Sequence, residues 1–320
     1  MSAFEPFEQF DEVEDIVDRL DDPDPGTRRV AVMDLADSAD PSAVTYLKKA
    51  LGDEAREVRL QVALALAEFD GPETADALVV AVVDEDAGVA QAAADSMAEL
   101  KDPAAADPIL PFVTHESAFV RAASLRALRE LKRTESLKPA LDAFSDEDAT
   151  VRSEAISVVG YLKTEDALPA LMSMLKDVEP AVRRTAAGAL GFSVTTAAAE
   201  ALAQSLTDSD WQVREIAAET LCKVQSTVAA PALRAALTDE YWQVRQKSIR
   251  SLGKLGVAEA VPEIIPSLDH DISNLRKEAA AALGEIEAPE AVPALEAHLD
   301  DPDPDVRKNI RWALGRIRSE

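Results

Sequence analysis

The sequence predicts an all-α fold, an α-solenoid or superhelix of ten 31-residue helical hairpins, and three observations lead there. A small apolar residue followed by arginine recurs every 31 residues, at Arg28, Arg59, Arg121, Arg152, Arg183, Arg214, Arg245, Arg276 and Arg307, with Ala90 in the one missing slot. Alanine-rich, helix-patterned sequence follows each of these positions, and no insertion or deletion interrupts the ten copies. Six residues before each slot stands Asp22, Asp53, Asp84, His115, Asp146, Asp177, Asp208, Asp239, His270 or Asp301. A period of this length marks a supersecondary unit that cannot bury its apolar face alone and must stack on its neighbours.

One copy, residues 166–191, shows why each element forms. Ala167, Leu168, Leu171, Met174 and Leu175 fall on one helical face, and Val182, Ala186, Ala187 and Leu190 on another, which predicts two amphipathic helices. Between them lies Asp177-Val178-Glu179-Pro180, where acids can cap the next helix and proline suits a first turn whose N–H has no intrahelical acceptor. So short a connection makes an antiparallel hairpin. The same punctuation recurs at Asp22-Pro23-Asp24-Pro25 and Asp301-Pro302-Asp303-Pro304.

Superposed copies separate core from surface. The residue before the arginine is valine in eight copies, Leu275 in another and Thr27 in the first, and the residue seven after it is always apolar. Small residues such as Ala93, Ala155, Ala186, Ala217 and Ala279 stand three after it, which lets neighbouring second helices approach to about 8–10 Å. The fixed phase of acid and arginine predicts a ladder of charge-assisted hydrogen bonds along the stack, guanidinium to carboxylate or loop carbonyl. Phe4, Phe7 and Phe10 suggest the apolar side of a capping helix over about residues 5–20, and the last repeat is expected over about 288–318. The whole of 1–320 reads as one continuous domain, because repeats extend along an axis without enlarging a single core.

Composition bounds the function. Net charge is −27, from 60 Asp and Glu against 33 Lys and Arg, which disfavours nucleic acid and anionic membrane as partners. The bases are 21 Arg and only 12 Lys, and an acidic, lysine-poor surface on a folded chain points to a salty cytoplasm and a halophile. Cys222 is the only cysteine, so there is no disulfide framework and no cysteine-rich zinc site. The N-terminus has acids where a secretory leader needs bases, and no apolar run approaches the ~20 residues of a membrane span. A cytoplasmic protein is expected.

The frame D-x-x-x-x-V-R-x-x-A-x-x-A-L-G, present as Asp177 through Gly191 and again near the C-terminus, resembles the HEAT-like repeat of the phycobilisome-lyase type. The resemblance covers about residues 5 to 318. It implies an armadillo-like helical solenoid whose second helices line an inner face, used as a scaffold or adaptor and in some lyase or chaperone-like subunits.

Chemistry-bearing residues are sparse. His115-Glu116 is similar to the His-Glu pairs with which one HEAT-like family, the deoxyhypusine hydroxylases, holds two irons, but that site needs several converging pairs. His115 and His270 differ by five whole repeats, roughly 50 Å at about 10 Å per step, so they are expected to replace aspartate in the ladder rather than share a metal. Cys222 takes a slot that is glycine in five copies and reads as a small packed residue. No phosphate loop or zinc spacing appears, so the chain is expected to be non-catalytic, with no cofactor and no metal site.

A partner surface is expected in the last third. Residues 1–210 carry a net −23 and residues 211–320 a net −4. Trp242, Gln246, Arg250 and Lys254 follow at intervals of four on one helix face, with Lys247 beside them. Trp211, Lys277, Lys308 and Trp312 hold related slots in neighbouring repeats. Tryptophan and arginine are the residue types enriched at interface hot spots. A protein partner, with an acidic segment held near residues 211–316, is the expected ligand. The alternative is a lyase-like or chaperone subunit acting on a cofactor-bearing protein.

Overall fold

The computed structural model describes residues 12–318, and these are helical with no strand among them. Phe4, Phe7 and Phe10 and the first part of the expected capping helix lie outside the described residues. The fold is the predicted α-solenoid; among the described residues there are ten pairs of helices, each odd-numbered helix the first of a hairpin and each even-numbered one the second. The chain divides after Leu162 into two compact units. The first holds α1 (Glu12–Val17), α2 (Pro25–Asp37), α3 (Ala43–Ala50), α4 (Arg56–Ala65), α5 (Pro72–Ala81), α6 (Ala87–Met97), α7 (Ala106–Ile109), α8 (Ala118–Leu131), α9 (Leu137–Asp142) and α10 (Ala149–Leu162). The second holds α11 (Leu168–Ser173), α12 (Pro180–Ala189), α13 (Thr196–Ser205), α14 (Trp211–Val224), α15 (Ala230–Ala235), α16 (Trp242–Lys254), α17 (Val261–Ile264), α18 (Ser273–Ile286), α19 (Val292–Ala297) and α20 (Pro304–Ile317).

The first helices are shorter than the apolar pattern suggests. Over 167–175 the pattern predicts one helix, whereas α11 is bracketed by 3-10 turns at Glu165–Ala167 and Met174–Lys176. Pro169 is the cause at the start: lacking an N–H, it cannot bond the Glu165 carbonyl four residues back, and the Leu168 N–H takes that carbonyl instead in a tighter turn. The second helices run longer, and several begin on an aspartate that accepts the exposed N–H groups of the first turn. Asp86, Asp210 and Asp303 each accept two such bonds.

The repeat frame sorts burial as the sequence predicts. Val58, Val89, Val120 and Val151 in the first unit, and Val182, Val213, Val244, Leu275 and Val306 in the second, are all buried. So are the apolar residues seven after the arginine slot, from Leu35 to Leu314, and the small ones three after it. Two glycines mark the tightest helix contacts of the second unit. A methyl group on Gly253 would sit 2.7 Å from Ala282 Cα, and one on Gly284 would sit 2.7 Å from the Trp312 ring and 2.8 Å from Ala313 Cα.

The ladder is built from both kinds of acceptor. In the first unit Arg28, Arg59 and Arg121 clasp Asp53, Asp84 and Asp146 through Nε and Nη2, at 2.6–3.1 Å. In the second, Arg183, Arg214 and Arg276 clasp Asp208, Asp239 and Asp301 at 2.7–3.0 Å. The remaining nitrogen, Nη1, donates back to the loop carbonyl six residues earlier, as from Arg59 to Asp53 and from Arg214 to Asp208. Each aspartate also accepts the N–H two residues on, so Asp239 Oδ1 holds Tyr241 N at 2.9 Å. The guanidinium of the previous repeat holds Asp53, Asp84 and Asp301 below the usual carboxylate range. At Asp146, Asp208 and Asp239 partial burial pushes the other way and is outweighed by the same bonds.

Histidine replaces aspartate twice, with different results. His115 Nδ1 accepts the Ser117 N–H at 3.1 Å and its ring stacks on Phe112; the repeat before it has Ala90, so no guanidinium seeks a carboxylate there. His270 Nδ1 likewise accepts the Ile272 N–H at 3.0 Å, but its Nε2 faces Arg245 Nη2 at 3.1 Å. A neutral imidazole accepts on one nitrogen only, so the Ile272 N–H and the Arg245 guanidinium compete for a single lone pair. Arg245 Nε is left buried without an acceptor, because one ring nitrogen stands where a carboxylate would offer two oxygens.

Three outcomes follow. His270→Asp should raise stability by about 1–2 kcal/mol by giving Arg245 its fork; an unchanged or lower denaturation midpoint would contradict this. Gly284→Ala should lose about 1–3 kcal/mol despite alanine's better helix propensity, since the added methyl overlaps the next helix. The ladder aspartates have lowered folded pKa values, so their contribution is complete above the ordinary aspartate value of about 4 and is lost as pH falls through the folded values. Melting curves taken down the pH scale should therefore fall steeply only below about pH 4, and a melting temperature still rising there would contradict the ladder's role.

Candidate functional site

The predicted site residues occupy α14, α16, α18 and α20, which pack in that order in the second unit. Trp242, Gln246, Arg250 and Lys254 do lie along α16 at four-residue spacing, but most of the bases are already paired. Lys247 meets Glu219 at 2.7 Å, and Arg250 holds Glu278 with two bonds, Nε–Oε1 at 2.9 Å and Nη2–Oε2 at 2.6 Å. Lys254 meets Glu285 at 2.5 Å. These pairs join consecutive second helices as a zipper. The bond from Lys247 holds the Glu219 carboxyl below its usual range, and the Glu278 carboxylate raises the Arg250 guanidinium further above its own. The Cys222 thiol is pushed up by burial, which outweighs the nearby cations and makes it a poor nucleophile.

The aromatic residues divide likewise. Trp211 stacks on Tyr241 of the next repeat's loop, ring centroids 5.1 Å apart and nearly parallel, and the Arg214 guanidinium lies 5.7 Å from the same Tyr241 ring. Trp242 is half-buried at the start of α16. Trp312 is 43% exposed, with the Arg316 guanidinium 5.7 Å from its ring. In the first unit Tyr161 is exposed beneath the Lys132 ammonium, 5.0 Å away, and in the second Phe192 is half-buried.

Lys277 and Lys308 are different. They occupy the slot one after the ladder arginine in consecutive repeats, as Gln246 does, and no described carboxylate pairs with either. Asn309 Nδ2 donates to the Lys277 carbonyl at 3.0 Å and fixes α18 and α20 in that register. Equivalent slots on neighbouring helices are about 10 Å apart. The row Gln246, Lys277, Lys308, with Trp242 one turn before Gln246, is therefore polar, cationic and aromatic.

Glu219, Glu278, Glu285 and Tyr241 were not singled out in the sequence, although a signal exists. Ladder pairs are 25 residues apart, Glu219–Lys247 and Arg250–Glu278 are 28 apart, and Lys254–Glu285 are 31 apart. These are the repeat length minus six, minus three and zero, the offsets that face one another when copies stack in register. His298 is held by Asp269 at 3.0 Å and by the Ala294 carbonyl at 2.8 Å. Among the described residues no three of His, Cys, Asp and Glu come together as metal ligands, and no helix is long and apolar enough to cross a membrane.

Among curated proteins none matches the chain in sequence. The chain is similar in structure to an engineered protein (TM-score 0.52, 22% identity, 96% of this chain and 99% of that one). It is also similar to the Escherichia coli protein YibA (TM-score 0.64, 18% identity, 84% and 98%). Kap95p, in a complex with RanGDP, matches at TM-score 0.64 and 14% identity over 95% of this chain, which spans 50% of Kap95p. At these identities the likeness concerns the fold. The family model for HEAT repeats matches residues 13–90, 78–148, 137–222, 199–281 and 228–315, five overlapping stretches that take in nearly the whole sequence. The chain belongs to the HEAT repeat family.

Proposed function

We propose that the protein is a non-catalytic interaction scaffold that holds an acidic, extended or helical segment of another protein across the second helices of its second unit. The observation that carries the reading is the pair of carboxylate-free lysines, Lys277 and Lys308, in register beside the Trp242–Gln246 turn. The paired bases Lys247, Arg250 and Lys254 set the walls of this row rather than its ligand chemistry. Kap95p, whose structures include complexes with RanGDP and with Nup1, supports protein binding as a use of the fold. Composition supports the setting: an acidic, lysine-poor chain with one cysteine suits a reducing, salt-rich cytoplasm.

Acidic side chains of the partner meet the ammonium groups, while apolar ones cover Trp242; the long-range field of the chain, net −27, works against this and makes the local match decisive. The test is fluorescence anisotropy of a labelled peptide of alternating glutamate and leucine. Lys277→Glu with Lys308→Glu should weaken its binding at least about tenfold with helical content unchanged. Equal affinity would refute the site, and failure of the unaltered chain to bind the peptide would refute the acidic-segment reading.

A further inference from the structure

One rung of the ladder in the second unit brings donors together without a carboxylate. In the rungs on either side, Asp239 and Asp301 each give one oxygen to the arginine Nε at 2.7 Å and the other to Nη2 at 3.0 Å. Arg245 turns the same two nitrogens toward His270. Its Nη2 lies 3.1 Å from His270 Nε2, and its Nε is buried with no acceptor.

The loop decides where the imidazole hydrogen sits. The Ile272 N–H lies 3.0 Å from His270 Nδ1, just as the N–H groups of Tyr241 and Asp303 meet Oδ1 of Asp239 and Asp301. This turn is shared by the rungs, so the backbone takes the one lone pair of the ring and Nε2 carries the hydrogen. His270 Nε2 and Arg245 Nη2 and Nε then all donate toward one place. His115 lacks the other half of such an arrangement, because Ala90 stands where an arginine would be.

The charges nearby leave Arg245 unmatched. Its Nη1 is taken by the Asp239 carbonyl at 2.8 Å, which brings no net charge. Arg276, whose Nη1 holds the His270 and Asp271 carbonyls, is neutralised by Asp301. Glu54, Glu85 and Glu240 follow ladder aspartates and come within 3.7–3.9 Å of the guanidinium. Asp271 follows His270 with a shorter side chain and makes no ion pair with Arg245 among the described residues. A buried N–H on a cation, with no protein acceptor, is stabilised by an anion small enough to reach it.

We propose that Arg245 and His270 bind a small monovalent anion, chloride or a free carboxylate of formate's size, at the position an aspartate side chain fills in the neighbouring rungs. The anion accepts from Arg245 Nε and Nη2 and from His270 Nε2. It joins α16 to the loop before α18, so the strength of that junction follows the anion content of the medium. None of the partner row at Trp242, Gln246, Lys277 and Lys308 takes part.

The experiment compares the native chain with His270→Asp, whose own carboxylate takes the fork. In chloride-35 NMR the native chain should broaden the chloride line more than the variant does, and formate should abolish the difference. Arg245→Gln, which removes the donors, should lose it as well. Urea denaturation gives a second readout, at constant ionic strength with chloride replaced by the bulkier isethionate. The stability advantage of His270→Asp should shrink as chloride rises, by about tenfold in the unfolding equilibrium constant at ~1 M chloride for a Kd of ~0.1 M. Equal line widths for the two chains, a difference that formate leaves untouched, or an advantage that does not change with chloride would each overturn the proposal.

Discussion

The guanidinium group that joins its own loop to the loop of the next repeat is the interaction on which the architecture rests. On one side Arg214, like Arg28, Arg59, Arg121, Arg183 and Arg276, holds the carbonyls six and five residues back, and on the other it clasps an aspartate 25 residues ahead. Only a planar fork can do both, since an ammonium group would have to choose between them. The aspartate is fixed in turn by the N–H two residues on, so the loop that receives the fork is shaped before it arrives. The bond therefore sets both the position of each hairpin relative to the next and the conformation of the turn between its helices. His270 shows the stringency: one ring nitrogen in place of two oxygens leaves Arg245 Nε without an acceptor.

Strict register is what made the fold readable. With a constant 31-residue period, any feature of one copy predicts its neighbours, so the buried valine row, the apolar row seven later and the arginine–aspartate ladder could all be read from spacing. The interrupted first helices could not, because an apolar pattern does not distinguish an α-turn from a 3-10 turn. Pro169, which decides between them, lies outside the apolar pattern and acts through its missing N–H. The candidate site was half legible. Periodicity on one helix found Trp242, Gln246, Arg250 and Lys254, but pairing is a property of two helices, and the partners Glu219, Glu278 and Glu285 lie 28 or 31 residues away. A single-helix view counts charges; the stack cancels most of them.

That cancellation changes how the charge asymmetry is understood. The first unit carries 35 acids and 15 bases, and the second carries 25 and 18. The extra bases of the second are spent largely within it, tying one second helix to the next. Lys277 and Lys308 meet no described carboxylate, and neither do Lys223 and Arg311 of the same unit. Packing divides the aromatic residues likewise, with Trp211 closed by Tyr241 and Trp312 against Gly284 yet 43% exposed.

Salt would act unequally on these layers. At about 1 M ionic strength the Debye length is ~3 Å, so attractions between exposed charges fade beyond direct contact. The forks of the ladder are short, bidentate and shielded, with Arg214 and Asp239 side chains only 11% and 9% exposed. They keep most of their strength in conditions that remove long-range repulsion among 60 carboxylates. Exposed lysines lose their reach in the same medium and must be supplemented by apolar contact, which strengthens when salts are excluded from the surface. In concentrated salt a chain of this composition would thus keep its register through the arginine forks.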